Sequence, residues 1–228
     1  MRIILNFGPS KTVFRNSFQS ECLRGVIHKI LGKNNTEHDT FSTYSVSTLR
    51  GGKMVKGGIS YPKGGFVYVS SPDPIFLDKF WSNLISLLRT SEKIELHDME
   101  LLNVAIENIQ VNKSYDIIHV ESLLLKHDHK WITFEDEEFI ELLNRQSIAK
   151  LQGKGICLSQ EDLKGFNIKP FHFENAKIER PKIRNVVNPS SKVMLFVEGT
   201  EIARKTLYEL GLGQSTGSSY GAVIKVRG

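Results

Sequence analysis

The order of the periodic segments constrains the fold of this chain more than any single motif does. Arg2 to Phe7 alternates as a strand, and residues 18–31 then set Phe18, Cys22, Leu23, Val26, Ile27, Ile30 and Leu31 on one helical face. Two strands are expected next, near Ser42–Leu49 and Gly65–Ser70, the second rich in Val, Tyr and Phe. Asp73-Pro74 supplies an N-cap with proline at the first helical position, so a helix opens there and covers Ile75 to Arg89. An alternating stretch from Ile94 to Val111 completes a βαββαβ order, that of a ferredoxin-like or RRM-like unit.

The second half repeats this order. Ile117–Leu125 reads as a strand, Asp136–Leu151 as a helix, and Ile168–Ile178 and Val193–Val197 as strands. A short helix capped by Thr200 covers Glu201 to Leu210, and Ala222 to Val226 forms a terminal strand. The expected fold class is therefore α+β, with two tandem ferredoxin-like domains, 1–113 and 114–228, divided near Asn112 to Tyr115. No direct sequence repeat is visible, so the duplication rests on element order alone.

Composition narrows the function classes. The 228 residues are 40% hydrophobic, enough for a real core, and no run of roughly 18 apolar residues offers a membrane span. The first residues lack the long apolar stretch and cleavage site of a signal peptide, which points to the cytoplasm. Cys22 and Cys157, in a helix-like and a strand-like context, form no CxxC pair and read as packing residues. Thirty Lys and Arg against 25 Asp and Glu leave a net charge of +5. The distribution says more: Arg50, Lys53, Lys56 and Lys63 fall in a stretch, 50–65, that holds no acid, while residues 133–141 are strongly acidic. A one-signed patch suits a phosphate backbone.

Between the last helix and last strand lies Gly211-Leu212-Gly213-Gln214-Ser215-Thr216-Gly217-Ser218-Ser219-Tyr220-Gly221. Such a loop can bring bare backbone N–H groups to an anion. It is not a dinucleotide fingerprint, because the sixth place is Thr216 and the order is helix, loop, strand. Nor is it a P-loop, since no lysine lies between Lys205 and Lys225. The β-branched run that follows argues against a floppy tail.

These residues resemble the CRISPR-associated endoribonucleases that cut precursor CRISPR RNA within its repeats. The likeness is carried by Leu195-Phe196-Val197-Glu198-Gly199-Thr200-Glu201, the short helix, Gly211-Leu212-Gly213, and Gly217-Ser218-Ser219-Tyr220-Gly221-Ala222-Val223. Ser219-Tyr220-Gly221 stands where Gly-Phe-Gly is common in the family. Leu23-Arg24-Gly25-Val26-Ile27-His28, Ser42-Thr43-Tyr44-Ser45 and Lys63-Gly64-Gly65-Phe66-Val67-Tyr68-Val69-Ser70 follow in the family's order. The resemblance implies metal-independent cleavage with no cofactor, in which a 2′-hydroxyl attacks the adjacent phosphate to leave a 2′,3′-cyclic phosphate and a 5′-hydroxyl. Repeat RNA is the implied partner, with a CRISPR effector complex and a homodimer as further expectations. A noncatalytic repeat-binding subunit of the same fold is the alternative.

That chemistry needs a base, an acid and positive or N–H groups about the phosphorane, and histidine suits both proton-transfer roles. On the first helix His28 lies nearly opposite the apolar residues, beside Arg24 and Glu21. By resemblance it occupies the place of a catalytic tyrosine in some members. His38 precedes Ser42-Thr43-Tyr44-Ser45, where the family often carries its general base. His38 and His28 are the expected catalytic pair, with base and acid unassigned; Lys29, Lys33 or Arg24 could replace the lysine that completes some family sites. Arg24, Lys29, Lys33, Arg50, Lys53, Gly211, Gly213, Gln214, Ser215, Gly217, Tyr220 and Gly221 are the expected RNA contacts, with Lys225 and Arg227 beside the loop. His127-Asp128-His129 alternates like a metal pair on a strand but has no third ligand at a suggestive spacing, and no metal site is expected. His97, His119 and His172 read as structural, and Tyr44 and Tyr68 as packing residues rather than base-stacking platforms.

Overall fold

The computed structural model describes residues 1–14, 16–32, 42–90, 92–153, 155–183 and 186–226, with the backbone alone at 16–20, 182, 183 and 186. The first half runs β1 (Arg2–Phe7), β2 (Val13–Phe14), α1 (Asn16–Leu31), β3 (Ser45–Val46), β4 (Lys53–Val55), β5 (Gly58–Ser60), β6 (Gly65–Ser70), α2 (Pro74–Arg89), β7 (Glu95–Leu96) and β8 (Met99–Glu107). Its main sheet is antiparallel in the order β3-β6-β1-β8-β7. Alternation on central β1 sends Ile3, Leu5 and Phe7 to one face, where they meet Leu23, Ile27 and Ile30 of α1 and Phe76, Phe80 and Leu84 of α2 in one buried cluster. The helix start at Asp73 is as expected: its Oδ1 accepts the Ile75 N–H at 2.9 Å.

The second half runs β9 (Tyr115–Leu123), β10 (Leu125–His127), β11 (Lys130–Ile132), α3 (Phe139–Leu151), β12 (Asn167–Phe171), β13 (Lys177–Glu179), β14 (Lys182–Ile183), β15 (Val186–Val187), β16 (Ser190–Glu198), α4 (Glu201–Leu210) and β17 (Val223–Lys225). Its main sheet has the order β12-β16-β9-β17, with β13 continuing the β12 side of β16. If the main strands of each half are counted along the chain, both sheets read second, third, first, fourth. That shared order is the ferredoxin-like arrangement, and the α+β class holds. A second cluster, including Ile118, Val120, Leu143, Leu195, Leu207 and Val223, fills the space under α3 and α4.

Several elements differ from expectation. The strand expected over Ser42–Leu49 narrows to Ser45–Val46, because the Ser47 hydroxyl takes the Tyr68 N–H at 2.9 Å in place of a backbone carbonyl. Pairing resumes only at Arg50 opposite Phe66. The single strand expected over Ile168–Ile178 is broken by a 3₁₀ turn at Phe173–Asn175, which turns Phe173 inward against Phe134 and Phe139. Ile94–Val111 is a hairpin, with His97-Asp98 at its turn. Cys157 is not in a strand: it is exposed, outside any helix or strand, with φ 54°. The small β2-β5-β4 sheet was not anticipated.

Buried charge ties the link between halves to α4. Arg204 and Asp116 are both fully buried and paired, and the Arg204 guanidinium also donates to the carbonyls of Gly199 (3.1 Å), Asn112 (2.6 Å) and Lys113 (3.2 Å). Breaking such a pair strands one charge in the core. Asp116→Ala should lower stability by about 3–5 kcal/mol in urea denaturation; a loss below about 1 kcal/mol would contradict this role.

Candidate nucleic-acid interface

The glycine loop starts where α4 stops. Gly211 ends the helix at φ 71° and donates to the Leu207 carbonyl at 2.9 Å. Beyond it the chain folds back on itself: Leu212 N–H donates to Gly221 O at 2.8 Å, Gln214 to Leu124 O at 2.9 Å, and Gly221 to Ser122 O at 2.7 Å. Sterics demand glycine at Gly221 and Gly217, among other positions of the loop. A Cβ at Gly221, where φ is 64°, would lie 1.8 Å from Leu212 O. One at Gly217 would lie 2.8 Å from the Tyr44 ring and hydroxyl and 2.9 Å from Ser42 Oγ. The loop is thus mostly interior. Leu212, Thr216, Gly217, Ser219, Tyr220 and Gly221 are buried, Gly213, Gln214 and Ser218 are half-buried, and Ser215 is exposed. Its N–H groups at 211, 212, 214, 218 and 221 are committed to the protein, so it is not the open cradle its composition suggests.

The loop joins the halves. The Thr216 hydroxyl donates to Tyr44 O at 2.9 Å, and Ser45 Oγ donates to Glu209 O at 3.0 Å. Tyr44, stacked on Phe76 with centroids 4.5 Å apart, is a packing residue. The turn Thr216–Ser218 lies against α1 and β3. In the last turn of α1, His28 is half-buried with Nδ1 turned from solvent. Arg24, one turn earlier, is half-buried. Exposed Lys29 donates to Lys93 O at 2.9 Å and lies 3.8 Å from Glu92. The structure therefore brings the helix of Arg24, His28 and Lys29 to the loop of Gly211 to Gly221. His38 and Lys33 lie outside the described residues, as does Arg227.

Arg50 lies 3.3 Å from Glu121, which also accepts from the Thr48 hydroxyl at 2.7 Å. Lys53 is exposed on β4. Lys225 donates to Gln110 O (3.1 Å) and Asn112 Oδ1 (2.9 Å) and lies 3.4 Å from Asp116, so its ammonium serves the link between halves. Tyr68 is covered by the Arg2 guanidinium, 4.6 Å from the ring centroid. Asp128 and His129 occupy the β10–β11 turn with φ 45° and 65°, not alternate places on a strand. Among the described residues no group of three or more His, Cys, Asp or Glu could hold a metal. His97 packs edge-on against Phe14, and exposed His172 pairs with Glu174 at 2.6 Å. His119, half-buried on β9, has its pKa lowered by burial, with Lys192 and Arg50 adding to the effect and Glu121 opposing it.

Sequence reasoning missed Lys150. This α3 side chain is buried, and its Nζ donates to Leu210 O (2.9 Å), Gly211 O (3.2 Å) and Thr216 Oγ1 (3.2 Å). It holds the carbonyl end of α4, where a helix favours positive charge, and one hydroxyl of the loop. The only cue in the sequence was its place seven residues after Leu143, on the apolar stripe of α3.

No family model matches the chain, and no curated protein does. Solved structures do match it. A RAMP protein described as binding different RNA substrates superposes with a TM-score of 0.79 at 16% identity over 100% of both chains. A CRISPR-associated protein Cas6 gives 0.76 at 19% identity, over 100% of this chain and 99% of that one. The chain has a Cas6-like fold. A Cas6-related protein from Pyrococcus furiosus adds a TM-score of 0.70 at 16% identity, over 100% of this chain and 98% of that one. In this Cas6-like fold the α1–loop junction sits between the two halves. No described helix is long and apolar enough to cross a membrane.

Lys150 makes the stability of this junction depend on pH. Burial pushes its pKa down from 10.5 to about 7, so between those values the unfolded chain holds a proton that the folded one does not. Stability should therefore rise from pH 7 towards 10, by up to about 1.4 kcal/mol per unit from this group. Lys150→Met should remove that rise in urea denaturation across pH 7–10; parallel profiles for the two proteins would refute it.

Proposed function

We propose that this chain binds CRISPR repeat RNA and cleaves it at the junction of α1 and the glycine loop. The observation that carries this reading is the packing of Thr216–Ser218 against the helix bearing His28, within a fold shared with RNA-binding and CRISPR-associated proteins. The half-buried to exposed rim of the loop, Gly213, Gln214 and Ser215, is the part that can meet a phosphate. Residues 1–113 and 114–228 act as two domains, the first supplying the histidines and the second the loop.

The reaction is transesterification without a metal ion. A base removes the 2′-hydroxyl proton, the 2′-oxygen forms a bond to phosphorus, and the bond from phosphorus to the 5′-oxygen breaks. An acid protonates the departing 5′-oxygen, leaving a 2′,3′-cyclic phosphate. His28 and His38 share these roles, with Arg24 and Lys29 as the nearest described cations on the helix. The repeat-binding subunit without catalysis is the competing reading.

Incubation with repeat RNA in EDTA separates them. The enzyme reading expects cleavage, its loss with a 2′-deoxy substitution before the cut, and a fall of roughly 10²- to 10⁴-fold in His28→Ala. Tight binding without cleavage would leave the binding subunit, and near-native rates in both His28→Ala and His38→Ala would overturn the site.

A further inference from the structure

β4, in the β4–β5 hairpin, is the one described strand of the first half with every residue exposed. Lys53, Met54 and Val55 are all exposed although they alternate between two faces of the strand, and Lys56 and Gly57 at its tip are exposed as well. Met54 is 78% exposed. The hairpin is nevertheless well anchored. Ile59 of β5 packs against the core, β5 pairs with β2, and Gly58 comes so near Phe14 O that a Cβ would lie 2.2 Å away. It is a well-anchored projection, and among the described residues β4 has all three of its residues exposed.

Its charge is of one sign. Lys56 at the tip, Lys53 nearer the root and Lys63 just beyond β5 are all exposed, and none of the three ammonium groups has an ion pair or hydrogen bond among the described residues. Arg50, which the sequence groups with them, is held by Glu121 instead. No acidic residue lies between 50 and 65. The arm therefore complements a polyanion. Residues 50–60 also contain no aromatic side chain, so the arm has no platform on which unpaired bases could stack. Paired RNA is gripped instead by backbone and 2′-hydroxyl contacts that need no stacking.

We propose that the β4–β5 hairpin is an arm that holds the backbone of base-paired RNA through Lys53, Lys56 and Lys63. This rests on the RNA-binding reading above and adds a point of attachment on residues other than those of the cleavage junction. β2 precedes α1 in the chain, and His28 lies twelve positions after Asn16, about 18 Å along the helix axis.

The test compares a stem-loop RNA with an unpaired uridine oligonucleotide of equal length, each titrated against the full chain by fluorescence anisotropy over a range of salt. The K53Q/K56Q/K63Q variant should keep the parent's melting temperature, because all three side chains are exposed. Its affinity for the stem-loop should fall at least about tenfold at about 0.1 M salt. The log–log salt slope should become shallower by about 2, at roughly 0.7–0.9 for each phosphate that is no longer neutralised, while uridine binding changes little. An unchanged slope and affinity for the stem-loop would overturn the arm, and equal weakening on both RNAs would overturn its selectivity for paired RNA. If the parent chain binds neither RNA, the proposed function itself fails, and an intact parent beside an unaffected variant removes the arm alone.

Discussion

The tight return of the chain between Leu212 and Gly221 is the constraint on which the relation of the two halves depends. Because neither Gly217 nor Gly221 has a side chain, the loop backbone can lie against both its own strand and the Tyr44 segment. Any Cβ at Gly221 would collide with Leu212 O, and one at Gly217 would crowd the Tyr44 ring, which stacks on Phe76. The glycines are there chiefly for packing. Whatever the rim of the loop binds, it binds on a support whose shape is set by the close approach of backbone to backbone.

Cations placed inside the protein reinforce that support in different ways. Arg204 is neutralised by Asp116 and saturated by carbonyls, so its charge is fully compensated. Lys150 instead meets the carbonyl end of α4 and a hydroxyl, and its depressed pKa records the cost of that burial. Arg2 extends from β1 to Ser70 Oγ and to Val223 O of the other sheet, with Tyr68 under its guanidinium. Each of the three reaches across a boundary between elements, and each bonds at least one main-chain carbonyl that the sheets or helices leave over.

Much of this was legible in the sequence because the strongest signals are local. Alternation in Arg2–Phe7 and Gly65–Ser70, the Asp73-Pro74 cap, and Thr200 before α4 all matched to the residue. Where a side chain or a turn replaced a ladder bond, as at Ser47 and His172, alternation overestimated the strand. The site was less legible. His28 and the glycine loop could be named from their residues, but the burial of the loop, the capture of Arg50 by Glu121, and the inward course of Lys150 depend on distant segments meeting. Residue type alone shows a lysine as a surface charge until the partner across the fold is known.

The bond from Thr216 to Tyr44 joins residues 172 apart in the chain, and β17 must pair with β9 across a shorter but still long stretch, Val223 opposite Val120. Pairings of such separation carry a heavy loop-closure cost and tend to slow folding. During synthesis the first sheet has all its strands by Glu107, yet the junction at α1 has no second wall until the chain has been made past Ser218. The junction is therefore assembled late, and a ribosome-bound chain would expose the Tyr44 segment to solvent for as long as residues 216–218 are missing.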